Sequence, residues 1–376
     1  MFMSKMKLTI DARLVNSSGI GVYIQNVLKN ERLKNYKLKL LFKEVEKDFF
    51  KEISDYAEMV TYNAPLYSID ELLNTPAKTL DSDIFWSPHF NVPVVNFAKK
   101  LKVVTIHDVF HLAHYGTLSR GQKLYAKWMY KKAVNASDVI FTVSETSKVE
   151  IIKYTGAKAE KIKVVHNGID FVKFNTVVNI EERAKILKQY KIDFPFVLFV
   201  GNVKPHKNLH HALLGFKEYL LNISSADQQI KFVIVGKRDG FITGDTNINS
   251  LVSDPVLKDK VHFTGWVRHG DLPALYQSAA AFVFPSFYEG FGFPPLEAMA
   301  AGCPVISSNA SCMPEIYGDA ALFFKPDDKN AIAIALKTIL TNEQIRASLI
   351  TKGLEQSKKY SWSSAVNAKL DWIEGV

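Results

Sequence analysis

Apolar runs of four to six residues recur along the chain, and stretches with helical spacing separate several of them. In the first part the runs lie in KLTIDAR (7–13), KLKLLF (37–42), DIFWSPH (83–89), KVVTIHD (102–108), VIFTVS (139–144) and KIKVVHNG (161–168). So little polar alternation predicts strands covered on both faces of a parallel sheet. NSSGIG and GVYIQNVLKN, after the first run, predict a turn into a helix. A mixed polar stretch fills about 170–194, and the pattern then restarts. FPFVLFVGN (194–202), KFVIVG (231–236), KVHFTG (260–265), AAFVFPS (280–286), CPVISSN (303–309) and AALFF (320–324) make the second series. Strand–helix alternation twice over predicts an α/β chain of two facing, Rossmann-like, doubly wound parallel-sheet domains. The expected division is 1–175 and 176–360, with a last helix over about 361–376 packed back on the first domain. Ligands of such sheets sit beyond the carboxyl ends of the strands, which puts the site in the cleft between two facing domains.

Composition narrows the class. A length of 376 residues exceeds what one core usually covers. With 47% hydrophobic and 23% charged residues, the chain reads as a soluble globular protein. Its two cysteines, Cys303 and Cys312, make no disulfide framework and fit a reducing cytoplasm. MFMSKMK runs straight into LTIDA without the apolar core of a signal peptide. No apolar run reaches the roughly 18–20 residues of a membrane span. The net charge of +9 is unevenly placed: residues 1–175 hold 26 Lys/Arg against 18 Asp/Glu, and residues 176–376 hold 21 against 20. A basic first half favours an anionic partner such as a phospholipid surface, a lipid phosphate or nucleic acid.

The segment FPSFYEGFGFPPLEAMAAGCPVISS (284–308) carries the clearest chemistry. Glu289 and Glu297 flank a Gly/Pro loop, with Glu297 in the first turn of the helix that follows. Gly290 and Gly292 let backbone approach a ligand, and Pro294 and Pro295 preset the opening turn. A helix N-terminus attracts phosphate, although two prolines remove N–H donors from it. Glu297 can bond a ribose diol and Glu289 can accept from sugar hydroxyls. Either glutamate alone would pass for a cap or a surface charge.

Glu289-x7-Glu297, followed by Ala298 and Gly302-Cys303-Pro304-Val305, resembles the signature of the retaining glycosyltransferases of family 4, which have the GT-B fold. The resemblance extends over nearly the whole chain, through the Gly19–Gly21 loop, TIHDV (105–109), VHNGID (165–170), VGNVKPHKN (200–208) and MPEIYGDAALFFKPDD (313–328). It implies metal-independent hexosyl transfer with retention, from a nucleoside-diphosphate sugar bound to the C-terminal domain. The acceptor would be a saccharide or lipid-linked saccharide bound to the N-terminal domain. GFGFPPLE and KPHKN look most like bacterial mannosyl- and hexosyltransferases of polysaccharide assembly, such as O-antigen synthesis, which favours a GDP-sugar over a UDP-sugar as co-substrate.

Residue by residue, the resemblance gives Glu289 and the backbone of Phe291 and Gly292 to the donor sugar, and Glu297 to the ribose. Lys207 would neutralise the diphosphate as charge grows on the leaving group. Asn202 stands where the family commonly has a phosphate-binding arginine, so Lys204, His206 or Arg238 would compensate. Val267 would bond the base through its backbone. His107 would bond the sugar near the reacting carbon. Asp108 would shape its loop or meet the acceptor, and Gly19 and Gly21 would line a loop approaching the phosphates and acceptor. Closure of the domains would exclude water.

Other patterns are weaker. His107, His111 and His114 have no carboxylate or thiol cluster beside them, so no metal is expected. Asp81-Ser82-Asp83 imitates a metal-binding D-x-D but precedes its strand, which makes it a turn. RGQKLYAKWMYKKAVNAS (120–137) mixes basic and aromatic residues; it fits either an interfacial helix on anionic lipid or an ordinary helix with its aromatics in the core. The expected location is cytoplasmic, with a peripheral place at the inner face of the plasma membrane under the first reading. A sugar-nucleotide epimerase of the same fold is the alternative activity, and it would isomerise sugar nucleotide with no acceptor present. Nucleic-acid binding has only the pI of about 9.2 behind it, and no such partner is expected.

Overall fold

The computed structural model describes residues 5–65, 68, 70–71, 81–92, 101–113, 120–224, 229–236 and 247–375. The chain forms two compact units: Met1–Gly168 with Trp362–Val376, and Ile169–Ser361.

The first unit is built on seven parallel strands: β1 (Lys7–Asp11), β2 (Lys37–Phe42), β3 (Ala57–Thr61), β4 (Ile84–Ser87), β5 (Leu101–Thr105), β6 (Val139–Thr142) and β7 (Ile162–Val164). Their spatial order is β3-β2-β1-β4-β5-β6-β7. The chain winds outward from β1 to β3 and returns to add β4 on the other side, so the switch point lies between β1 and β4. β3 was not expected from the sequence. AEMVT alternates poorly and is largely uncovered because it is the sheet's edge. The last helix, Trp362–Glu374, belongs to this unit, and its Val366, Leu370 and Ile373 sit in the same core as Leu8, Ile10 and Tyr23.

The second unit repeats the plan with β8 (Phe196–Val200), β9 (Lys231–Val235), β10 (Val261–Gly265), β11 (Ala281–Phe284), β12 (Val305–Ser308) and β13 (Ala321–Phe324). Their order is β10-β9-β8-β11-β12-β13, again all parallel. The unit begins at Ile169, earlier than the expected division at 175/176. The short helix Phe171–Asn175 explains this. Phe174 packs edge-on to Tyr276, and the Asn175 amide donates to the Ala300 carbonyl, both within the second unit.

Candidate functional site

In the second unit the Glu289 loop leaves β11 and enters the helix Phe293–Ala300. Gly292 has φ +82°, and a Cβ there would lie 2.1 Å from the Tyr317 hydroxyl. That hydroxyl donates to the Gly292 carbonyl at 3.0 Å. Backbone conformation and close approach thus both require glycine. Phe291 is buried, with its ring against Phe293 and Tyr360. The Glu289 carbonyl accepts from Ser311 Oγ at 2.7 Å and from Cys312 Sγ at 3.2 Å, so its backbone is held from the segment after β12.

The Glu289 side chain meets Lys207, Nζ to Oε1 at 2.6 Å. The two residues lie 82 apart in sequence, and the side chains are only 20% and 13% exposed. Lys207 ends the turn Pro205–Lys207 after β8. The next residue, Asn208, fixes that turn. It is buried with φ +55°, and its amide donates to the Pro285 carbonyl at 2.9 Å and the Pro326 carbonyl at 2.7 Å. One asparagine therefore ties together the loops after β8, β11 and β13, all at the carboxyl ends of the sheet. Phe287 N donates to the His206 carbonyl at 2.8 Å and adds a second tie.

Glu297 lies one turn into the helix and accepts from the Tyr276 hydroxyl at 3.0 Å. Burial pushes its carboxyl up to about 7, opposed by the Tyr276 bond and the charge of Lys173. Lys173 in turn meets the His269 ring. Asn202 is half-buried just past β8, where Gly236 presses against it; a Cβ on Gly236 would lie 2.1 Å from the Gly201 carbonyl. Val267 is buried after β10, and Lys204 is half-buried before the Lys207 turn. Arg238 lies outside the described residues.

In the first unit, His107 follows β5. Its Nε2 lies 3.0 Å from the Pro88 carbonyl. A carbonyl only accepts, so Nε2 carries the proton and Nδ1 keeps its lone pair. Burial pushes the imidazole down to about 4; the Pro88 bond opposes this and the charge of Lys369 adds to it. Asp108 Oδ1 accepts from Phe110 N at 2.9 Å, and the Asp108 carbonyl accepts from the Tyr130 hydroxyl, so this residue shapes its loop. Gly19 and Gly21 depart from expectation, since they lie in the first turn of the helix Ser18–Leu28 and not in the loop before it. A Cβ on Gly21 would meet the Val15 carbonyl at 2.5 Å, whereas Gly19 has open space around it. Gly21 is thus a packing requirement, and Gly19 leaves exposed backbone at the helix start.

The weaker patterns also find their places. Asp81 pairs with Lys39 at 2.8 Å, and Asp83 accepts from the Lys7 amide at 2.8 Å, so both serve the lower edge of the sheet. His114 lies outside the described residues, and among those described no group of His, Cys, Asp and Glu is placed to hold a metal. The helix Arg120–Ala136 divides its large apolar side chains: Met129 and Tyr130 are buried, while Leu124 (72% exposed) and Trp128 (45%) face outward beside exposed Lys127 and Lys131. Sequence reasoning missed Tyr276, Asn208, Ser311 and Tyr317, because hydroxyls and amides that act on backbone or on another side chain have no spacing signature. It also missed Arg13, which ends the KLTIDAR run. That guanidinium is buried with Asp11 (2.6 Å) and Glu71 (2.7 Å).

The family described as "Glycosyl transferases group 1" matches residues 182–356, and "Glycosyltransferase Family 4" matches residues 18–173. The O-antigen chain mannosyltransferase RfbU of Salmonella typhimurium is 31% identical over 274 residues, covering 73% of this chain and 69% of that protein. The O-antigen chain mannosyltransferase B of Escherichia coli is 29% identical over 293 residues, covering 77% and 73%. Among solved structures, Anabaena HepE in complex with UDP-glucose superposes with a TM-score of 0.78 at 17% identity, over 99% of this chain and all of that one. At that identity the likeness is one of fold. It is the GT-B class expected from the sequence, with two parallel-sheet α/β units in one chain.

Proposed function

Given that this chain belongs to the group 1, family 4 glycosyltransferases, we propose that it moves a mannosyl or closely related hexosyl group from a GDP-sugar to a saccharide or lipid-linked saccharide of a cell-surface polysaccharide. The observation that carries this is the sheltered Lys207–Glu289 contact at 2.6 Å. It puts a cation for a diphosphate and a carboxylate for sugar hydroxyls side by side at the carboxyl ends of one sheet. Mannose is favoured by the two O-antigen mannosyltransferases among the relatives. GDP is favoured because it is the common carrier of activated mannose. Family membership favours transfer over epimerisation.

In this reading Glu297 holds the ribose, Phe291 and Gly292 line the donor pocket, and Val267 serves the base. Asn202 and Lys204 or His206 border the diphosphate. The bond from the anomeric carbon to the phosphate oxygen breaks as Lys207 stabilises the departing charge. Glu289 holds the oxocarbenium-like sugar, and His107 offers Nδ1 to a substrate hydroxyl. The acceptor hydroxyl bonds the same face of that carbon, and its proton passes to the departing phosphate. No metal or other cofactor enters this scheme. Asp108 and Gly19 serve the acceptor side.

The membrane is part of the same proposal. No helix among the described residues is long and apolar enough to cross one. The outward Leu124–Trp128 pair with Lys127 and Lys131 supports docking of the helix Arg120–Ala136 on an anionic bilayer. The enzyme would then work at the inner face of the plasma membrane.

Thermal-shift measurements with GDP, UDP and their sugars test the core of the reading. The largest upward shift is expected with GDP-mannose, reduced by Glu297→Ala and largely kept by His107→Ala, which lowers turnover instead. No shift with any nucleotide, or unchanged turnover in both variants, removes the site assignment.

A further inference from the structure

Lys369 lies in the core of the first unit, 0% exposed, and among the described residues its ammonium group has no hydrogen-bond partner. It projects from the helix Trp362–Glu374 among residues that fill that core. An unpartnered buried ammonium is costly, and a methionine would occupy similar space without that cost. What it faces is informative. Its Nζ stands 5.1 Å from the centre of the Tyr23 ring. Tyr23 is itself fully buried, and its hydroxyl lies 3.0 Å from Thr105 Oγ1, which also accepts from Trp86 Nε1 at 3.0 Å. The same ring meets His107 edge-on, with centroids 4.8 Å apart and planes at 85°. Thr105 ends β5 two residues before His107, so Tyr23 is pinned to the strand that leads into the histidine.

We propose that Lys369 is a positioning residue for His107: packed on the same Tyr23 ring, its charge adds to burial in keeping the imidazole neutral, with the proton on Nε2 and Nδ1 free to accept from a substrate hydroxyl. A nearby cation opposes a second proton on the ring. The groups around His107 are the Pro88 carbonyl and His89 from the loop after β4, Asp108 from its own loop, Ser147 from the helix Glu145–Thr155, Tyr23 and Lys369. Asp108 would favour protonation, and His89 is uncharged, pushed down to about 3 by burial. Lys369 is pushed down to about 7 by burial, so it carries its full charge in the acid range where His107 would otherwise protonate. The last helix thereby becomes a functional part of the first unit and not merely a strap. The inference rests on reading His107 as a substrate partner, but the coupling itself is measured without substrate.

Histidine-labelled full chain is titrated by NMR as parent, Lys369→Met and Lys369→Arg. In the parent, the His107 resonance is expected to sense a second titration near pH 7, that of Lys369. In Lys369→Met this inflection disappears, and the His107 midpoint rises by about one pH unit, or tenfold in proton affinity. The acid limb of kcat/KM moves with it, GDP affinity stays the same, and Tm rises. Lys369→Arg keeps the charge and stays near the parent midpoint. No inflection near pH 7 in the parent overturns the proposal without any variant. Superimposable His107 midpoints and acid limbs in parent and Lys369→Met overturn it as well, whether or not transfer proves to be the activity.

Discussion

Glu297 is pulled two ways. As a carboxylate it could accept two ribose hydroxyls, yet burial pushes its carboxyl up to about 7, and the Tyr276 bond and the Lys173 charge recover only part of that. Near neutrality much of the empty protein therefore holds the proton. If binding needs the carboxylate, GDP affinity rises with pH and levels off above about 7, by about tenfold between about pH 6 and about pH 8. Calorimetry at those two values measures it, and Glu297→Gln should flatten the profile while weakening binding. A parent affinity independent of pH removes the ribose role. The sign for stability is opposite. The folded empty chain binds this proton more tightly than the unfolded one, so the contribution is present below the ordinary value near 4.5 and lost as pH rises towards about 7. Lys207 and Glu289 show the complementary case, in which each partner offsets the other's desolvation while no ligand is bound.

At the scale of elements, the helix Arg120–Ala136 gives a sharper expectation than its sequence did. Two outward apolar side chains and two exposed lysines form a surface that suits anionic lipid, where each lysine near the membrane contributes about 1 kcal/mol. Vesicles rich in anionic lipid should co-sediment the protein, and neutral vesicles should not. Trp128→Ala with Lys127→Glu and Lys131→Glu should abolish the effect while Tm changes little, because none of the three fills the core. Equal binding of the triple variant would leave the helix as ordinary surface. The sequence alone left this helix undecided, since period and composition do not say which of Trp128, Met129 and Tyr130 turns inward. Twelve strands were legible as apolar runs, edge strands β7, β10 and β13 among them; β3 escaped because AEMVT, with Glu58 and Thr61 solvated at its edge, offers no such run. In the site, Glu289, Glu297 and Lys207 were legible as parts of motifs. Asn208, Tyr276 and the buried Lys369 were not, since their contacts are made only by folding onto residues distant in sequence.

For the whole molecule, the chain enters the second unit at Ile169 and leaves it at Ser361, and these two residues form a β-bridge. The second unit is thus a continuous stretch closed at its own base, whereas the first is completed only by residues 362–376. Val366, Leu370 and Ile373 are buried in the first core, and burying each such side chain contributes about 1.5–3 kcal/mol. Arg32 adds pairs to Asp371 at 2.6 Å and Glu374 at 2.7 Å, both partly exposed and worth little by comparison. Three buried aliphatics amount to several kcal/mol, comparable with the whole stability of a typical domain. Deleting residues 362–376 should therefore unfold the first unit selectively. Hydrogen exchange should show protection lost across β1, β2 and β4 while β8, β11 and β12 stay protected. GDP should still raise the Tm of the truncated chain, because Lys207, Glu289, Phe291 and Glu297 all lie within 169–361, and transfer should be lost. A truncated chain that no longer responds to GDP would mean that nucleotide binding needs the first unit, which would undo the assignment of the donor to the second.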